Sequence, residues 1–150
     1  MTRQTYLDPT PEQGRDFFLS GLSGAVTMLN LLRFREIADY SGHESLAPAA
    51  PITGAQAYRR YMEHTMPFLT ASGGELLFYG DCKGFLVGPA DERWDAAMLV
   101  RQSSVQSFMA FATDQDYLAG IGHRVAALAD SRILPLSQAT GGEEPARRLV

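Results

Sequence analysis

Asn30 and Arg33 pose the sharpest chemical question in this chain. They sit inside Val26-Thr27-Met28-Leu29-Asn30-Leu31-Leu32-Arg33-Phe34-Arg35, an otherwise apolar run. Burying an amide or a guanidinium without partners is costly, so something must satisfy them. Asn30 could donate to a ligand carbonyl or oxyanion, or simply bond to backbone. Arg33 could clamp an anion, or pair with an Asp or Glu at an interface. Tyr58, Tyr61 and His64 follow at intervals of three. The tyrosines present apolar bodies with hydroxyls that need partners. They either pack a core or line a cavity. His64 is either a general base or a satisfied surface histidine. His123 and Arg124 are adjacent. On a helical wheel Arg124 flanks the apolar stripe and can reach inward, to a salt bridge or an anionic group. His123 falls nearly opposite, towards solvent or another subunit. The candidate catalytic residues are therefore Asn30, His64 and Arg124. The candidate ligand-binding residues are Arg33, Tyr58, Tyr61 and His123.

Other chemistry is poorly supported. Asp39, His43 and Glu44 have no spacing that fits a specific metal site. Cys82 has only Lys83 as a nearby base in sequence, which gives a nucleophile little activation. There is no Gly-rich phosphate loop, nucleophile elbow or Cys-x-x-Cys pair. No metal and no tightly bound cofactor are expected.

The elements that must position these residues can be read from capping and periodicity. An irregular arm precedes Thr10-Pro11-Glu12-Gln13, a capping box with proline at the first helical position. It predicts a short helix to about residue 22. Alternation then predicts a strand over 25–34, with Asn30 and Arg33 on opposite faces. Residues 38–53, rich in Ser, Gly, Ala and Pro, form a loop long enough to be a lid or an interface. Thr53-Gly54-Ala55-Gln56 is a second capping box. It opens a helix with an inner stripe through Tyr58, Tyr61, Met62, Thr65, Met66 and Leu69. Pro67 predicts a kink or a restart, and Ser72-Gly73-Gly74 a stop. Residues 76–88 and 93–102 read as a hairpin. Short helices are expected from 103 and over 116–129. A last strand is expected over 131–136, on an edge because Pro135 cannot donate to a ladder. Residues 138–150 read as a disordered tail.

The order is a leading helix, then β-α-β-β-α-(α)-β. That is the split βαβ, ferredoxin-like pattern of the α+β class, an antiparallel sheet with helices on one face. The domain spans 25–137, preceded by the arm and helix of 1–24. No second layer remains for the other sheet face, so a partner subunit is the natural cover.

Composition limits the function classes. The chain has 150 residues, a formal net charge of -4, 45% hydrophobic and 20% charged residues. One domain is the simplest reading. No Lys/Arg-rich run suggests nucleic acid or an anionic membrane. One cysteine excludes an intrachain disulfide and suits a reducing cytoplasm. No apolar run approaches a membrane span, and the first residues lack a signal-peptide pattern. A soluble cytoplasmic protein is expected.

Several segments together resemble the family called domain of unknown function 1330. They are Met28-Leu29-Asn30-Leu31-Leu32-Arg33-Phe34, Tyr58-Arg59-Arg60-Tyr61, Gly73-Gly74 before a strand, the strand near Trp94, Ser103-Ser104-Val105-Gln106-Ser107-Phe108, and His123-Arg124 before Ala126-Ala127-Leu128. The resemblance covers about residues 25–136. It implies a dimeric α/β barrel, two ferredoxin-like sheets closed across a homodimer. The wider superfamily includes cofactor-free oxygenases, isomerases, dehalogenating enzymes and haem enzymes, so the resemblance passes on a fold and an oligomer but no reaction. Two functions are carried forward. One is a small-molecule enzyme, oxygenase- or isomerase-like, with a pocket between sheet and helices. The other is a non-catalytic dimeric ligand-binding or structural module, in which buried polar residues fix register.

Overall fold

The computed structural model describes residues 4–138. Both capping boxes form. Thr10 caps α1 (Pro11–Phe18) and Thr53 caps α2 (Gly54–Ala71), each side chain accepting from the backbone amide three residues on. Between them runs β1 (Val26–Phe34). The chain continues through β2 (Glu75–Asp81), β3 (Ala96–Gln102), α3 (Val105–Ala112), α4 (Gln115–Leu118), α5 (Ile121–Ala127) and β4 (Leu128–Leu136). The four strands form one antiparallel sheet in the order β2-β3-β1-β4. This is the ferredoxin-like α+β fold.

Alternation along β1 separates two sheet faces. Val26, Met28, Asn30 and Leu32 are buried under the helices. At one end Leu32, Ala96 and Met98 pack against Ala57, Tyr58 and Tyr61 of α2, Tyr117 of α4, and Ala126 and Ala127 of α5. At the other end Val26 and Met28 pack against Val105, with Phe17, Phe108 and Met109 beside them. Phe17 meets Phe108 edge-on, with centroids 5.5 Å apart, so α1 seals that end. The opposite face carries Thr27, Leu29, Leu31 and Arg33 of β1. Across the ladder it continues as Ala97 and Leu99 of β3, Phe78 of β2, and Arg132, Leu134 and Leu136 of β4. Among the described residues no helix covers this open face. Phe78 and Leu134 are each 56% exposed there.

Several elements differ from the sequence reading, each for a local reason. The leading helix ends at Phe18, before Gly21 and Gly24 take positive φ. β2 stops at Asp81 instead of reaching 88, after the Cys82 amide bonds the Asp95 carbonyl at 3.0 Å. The segment beyond, with Gly84 and Gly88-Pro89, leaves the sheet. α2 runs without interruption through Pro67. Pro67 and Glu63 both lie on the exposed side of the helix, where water can satisfy the carbonyl that proline leaves unbonded. The single helix expected over 116–129 is two. Gly120 separates them, and a side chain there would collide with the His64 ring. Leu128 and Ala129 belong to β4, which starts three residues earlier than read. A bulge at Arg33/Phe34 accommodates the shift. β4 is an edge strand, as Pro135 requires.

The 38–53 loop is packed. Its ends are tied by Ala38 to Ile52 at 2.9 Å, and Asp39 bonds the Ala126 carbonyl of α5 at 2.9 Å. It makes a 3-10 turn at Glu44–Leu46 and buries Tyr40. The tail expected to be disordered lies almost wholly outside the described residues.

Candidate functional site

The candidate residues fall into separate neighbourhoods on the two sheet faces. Arg33 belongs to the open face, in a cluster built on Asp130. Asp130 is fully buried. Its carboxylate accepts from Arg33 at 3.1 Å, Arg132 at 2.6 Å, the Tyr6 amide at 2.8 Å and the Ser131 amide at 2.9 Å. Burial pushes its pKa up, but the amide bonds and Arg132 outweigh this, and the carboxyl sits below its ordinary range. Arg33 also donates from Nε to the Arg93 carbonyl at 2.9 Å. Both guanidiniums stack on the Trp94 ring, Arg33 at 4.5 Å and Arg132 at 5.0 Å. Trp94 in turn donates to Glu92 at 2.9 Å. Arg33 is thus held by protein on three sides.

Asn30 lies under the helices, one strand face away from Arg33. Its amide nitrogen donates to the Met28 carbonyl at 3.2 Å. Tyr58 and Tyr61 face the same core, with ring centroids 5.2 Å apart. Tyr61 and Tyr117 share a hydroxyl–hydroxyl bond of 2.7 Å. Burial drives the Tyr58 and Tyr117 hydroxyls far above the ordinary tyrosine range, so both stay protonated.

Arg124 is buried beside this group and lowers the cost of charge on Tyr58 and Tyr117. The salt bridge expected of it is not what holds it. Its guanidinium donates to the Leu7 carbonyl of the arm at 2.8 Å and to the Ser131 hydroxyl at 3.4 Å, both neutral oxygens. The arm supplies these partners because Tyr6 runs along β4, with the Ser131 amide donating to its carbonyl at 2.9 Å.

The histidines sit on the α2–α5 side. His64 Nε2 lies 2.8 Å from the Asp116 carbonyl and 3.2 Å from that of Tyr117. Its ring covers Gly120, so it links α2 to the end of α4. His123 meets the 38–53 loop of its own chain, where the helical wheel put solvent or another subunit. Its Nδ1 bonds the Tyr40 hydroxyl at 2.8 Å, and the rings meet edge-on at 5.6 Å. The wheel failed because it took 116–129 as one helix, and because Tyr40 arrives on the packed loop. Burial, then the Arg60 and His64 charges, hold the His123 pKa below its ordinary value.

A cavity of about 330 Å³ opens elsewhere, in the loop joining β2 and β3. Cys82, Phe85, Ala90, Glu92, Arg93 and Trp94 help to line it. None of the seven candidate residues does, so the pocket expected between sheet and helices is not this one. Burial and the neighbouring Asp95 and Asp81 push the Cys82 thiol up, away from nucleophile behaviour. Among the described residues no group of His, Cys, Asp or Glu is arranged to hold a metal ion, and no helix is long and apolar enough to cross a membrane.

Sequence reasoning missed Asp130, Tyr40, Trp94, Tyr117 and the arm carbonyls. Asp130 had one legible signal, an acid two residues before Arg132, which shares its face if the strand begins early enough. The carbonyls of Leu7 and Tyr6 had none, since any residue supplies one.

The fold and its two polar clusters define a ferredoxin-like α+β protein with one uncovered sheet face. The chain belongs to the family of the RPA0582 protein of Rhodopseudomonas palustris, a protein of unknown function. It is similar to the methylated form of that protein at 32% identity and a TM-score of 0.81, covering 93% of this chain and 98% of that one. It is similar to a second structure of RPA0582 at 33% identity and a TM-score of 0.77, covering 89% and 96%. A looser likeness is to a dimeric ferredoxin-like protein of unknown function from Thermobifida fusca, at 16% identity, a TM-score of 0.45, and 77% and 92% coverage. No protein-family model and no curated protein matches the chain.

Proposed function

We propose that this chain is a homodimeric module in which a second copy covers the open sheet face, and that Asn30, Arg33 and His64 are architectural. The open face carries the reading. Leu29, Leu31, Leu99, Phe78, Leu134 and Leu136 share it, and Phe78 and Leu134 are more than half exposed. A contiguous apolar sheet face of this kind marks an interaction site. The polar groups of Asn30, Arg33 and His64 are bonded to protein, which supports positioning over catalysis. We also propose the kinship with the domain of unknown function 1330 proteins that the resemblance implies, and a reducing cytoplasm, which the single cysteine suits. Its test is the mass in solution of the wild type and of Leu134→Glu. A dimer that the substitution dissociates supports it, and a wild-type monomer at micromolar concentration overturns it.

One observation favours a second reading, a small-molecule site on the helix side. Among the described residues, buried Arg124 donates to neutral oxygens, and it lies within electrostatic reach of Tyr58 and Tyr117. A buried guanidinium lacking a carboxylate suits an anionic ligand, such as a small carboxylate or an enolate, with the tyrosine hydroxyls as further donors. Calorimetry with a panel of small carboxylates tests it. Binding that Arg124→Met abolishes supports the site, and no heat from any member removes it.

A further inference from the structure

The β2–β3 hairpin ends in Phe85-Leu86-Val87, three consecutive apolar residues set outside the sheet. Leu86 is 99% exposed and Val87 90%. Monomeric surfaces scatter single apolar residues, but a run this exposed needs a partner. The tip is preformed. Gly88 has φ +154°, and a side chain there would press into the Phe85 ring, so the turn is folded back on itself. The 330 Å³ cavity lies at the base of the same hairpin, walled by Cys82, Phe85 and Trp94.

Cavity and open face meet at Trp94. Trp94 forms a wall of the cavity and is also the ring on which Arg33 and Arg132 of the open face stack. Phe78, on the open face, belongs to the strand that leads into the tip. The charges at the cavity are balanced, Lys83 and Arg93 against Glu92 and Asp95. A balanced rim can face a copy of itself without net repulsion, whereas an anionic membrane or nucleic acid would select a basic rim.

We propose that in the dimer each Leu86-Val87 tip enters the cavity of the second copy, while Phe85 stays in the wall of its own, so that Leu86 of one subunit packs against Trp94 and Cys82 of the other. This rests on the open-face dimer of the proposed function. A two-fold axis makes the contact isologous, so the exchange is reciprocal and both tips are buried at once. The cavity is completed only by the partner.

Two measurements test it. Sedimentation equilibrium of Leu86→Asp should show dimerisation weakened at least tenfold with an unchanged melting profile of the monomer, because the side chain is exposed there. In the second, a Leu86→Cys/Cys82→Ser chain is mixed with wild type and oxidised with diamide. A covalent dimer of one chain of each kind should form through Cys82, and should fail with a Leu86→Cys/Cys82→Ser chain mixed with Cys82→Ser. If Leu134→Glu dissociates the dimer while Leu86→Asp leaves its affinity unchanged, the open-face reading stands and the exchange is wrong. If Leu86→Asp instead abolishes binding to anionic phosphatidylserine vesicles and leaves the dimer intact, the tip is a membrane contact and the exchange is wrong. A wild-type monomer overturns both.

Discussion

Asp130 holds two arginines, an arm amide and its neighbour's amide in one buried place. Removing the carboxylate leaves the Tyr6 amide without its acceptor and takes one from the Ser131 amide, while Arg33 and Arg132 are part-exposed and reach water. Asp130→Ala should therefore cost about 1–3 kcal/mol in urea unfolding. The pH dependence has a definite sign. The folded pKa lies below the unfolded value, so the contribution is present above an ordinary carboxylate pKa of ~3.9 and is lost as pH falls through the folded value. Asp130→Asn should flatten that acid limb. His123 behaves oppositely in charge but similarly in direction. Its folded pKa is depressed, so its neutral form is favoured by folding. That stability is present above ~6.5 and declines as pH drops towards the folded value. His123→Gln should flatten the slope that sets in below about pH 6.5 in pH-dependent melting, and an unchanged slope would show that His123 is not its source. The sequence put Asn30 and Arg33 on opposite faces by alternation alone, and they lie there. It did not reveal Asp130, because Leu128 continues the apolar stripe of a helix and so hid the start of the strand.

Elements were legible where local chemistry dominates. Thr10 and Thr53 cap the helices they appear to cap, and β1 alternates as its residues demand. Boundaries failed where a distant group decides them. Gly120 breaks a helix because the His64 ring occupies its side-chain space, and no pattern in 116–129 announces that. Gly54 shows the same principle at the start of α2. A side chain there would run into the Arg35 backbone and the Ala127 carbonyl, and its own amide bonds the Arg35 carbonyl at 3.0 Å. Gly54→Ala should therefore destabilise the fold by about 1–3 kcal/mol despite alanine's better helix propensity. Chemical denaturation measures this, and a stabilising effect would contradict the packing described. The 38–53 loop reads as a lid or an interface from composition, yet the Ala38–Ile52 bond closes it on itself and the Asp39–Ala126 and Tyr40–His123 bonds fix it to α5. Long-range backbone bonds of that kind leave no trace in sequence.

A four-stranded sheet with helices on one side leaves the other side to be covered. Leu134 and Phe78 stand more than half exposed on it. Burying each contributes roughly 1.5–3 kcal/mol, so placing a charge at Leu134 should weaken association about 10- to 100-fold. The order of elements made this face foreseeable from the sequence. The exposed hairpin tip was not foreseeable, because residues 82–88 continue the apolar character of β2 and read as more strand. The most direct test of the central claim is the solution mass at micromolar concentration. The account predicts twice the chain mass of 16.4 kDa for the wild type and 16.4 kDa for Leu134→Glu. A wild-type protein at 16.4 kDa would contradict it.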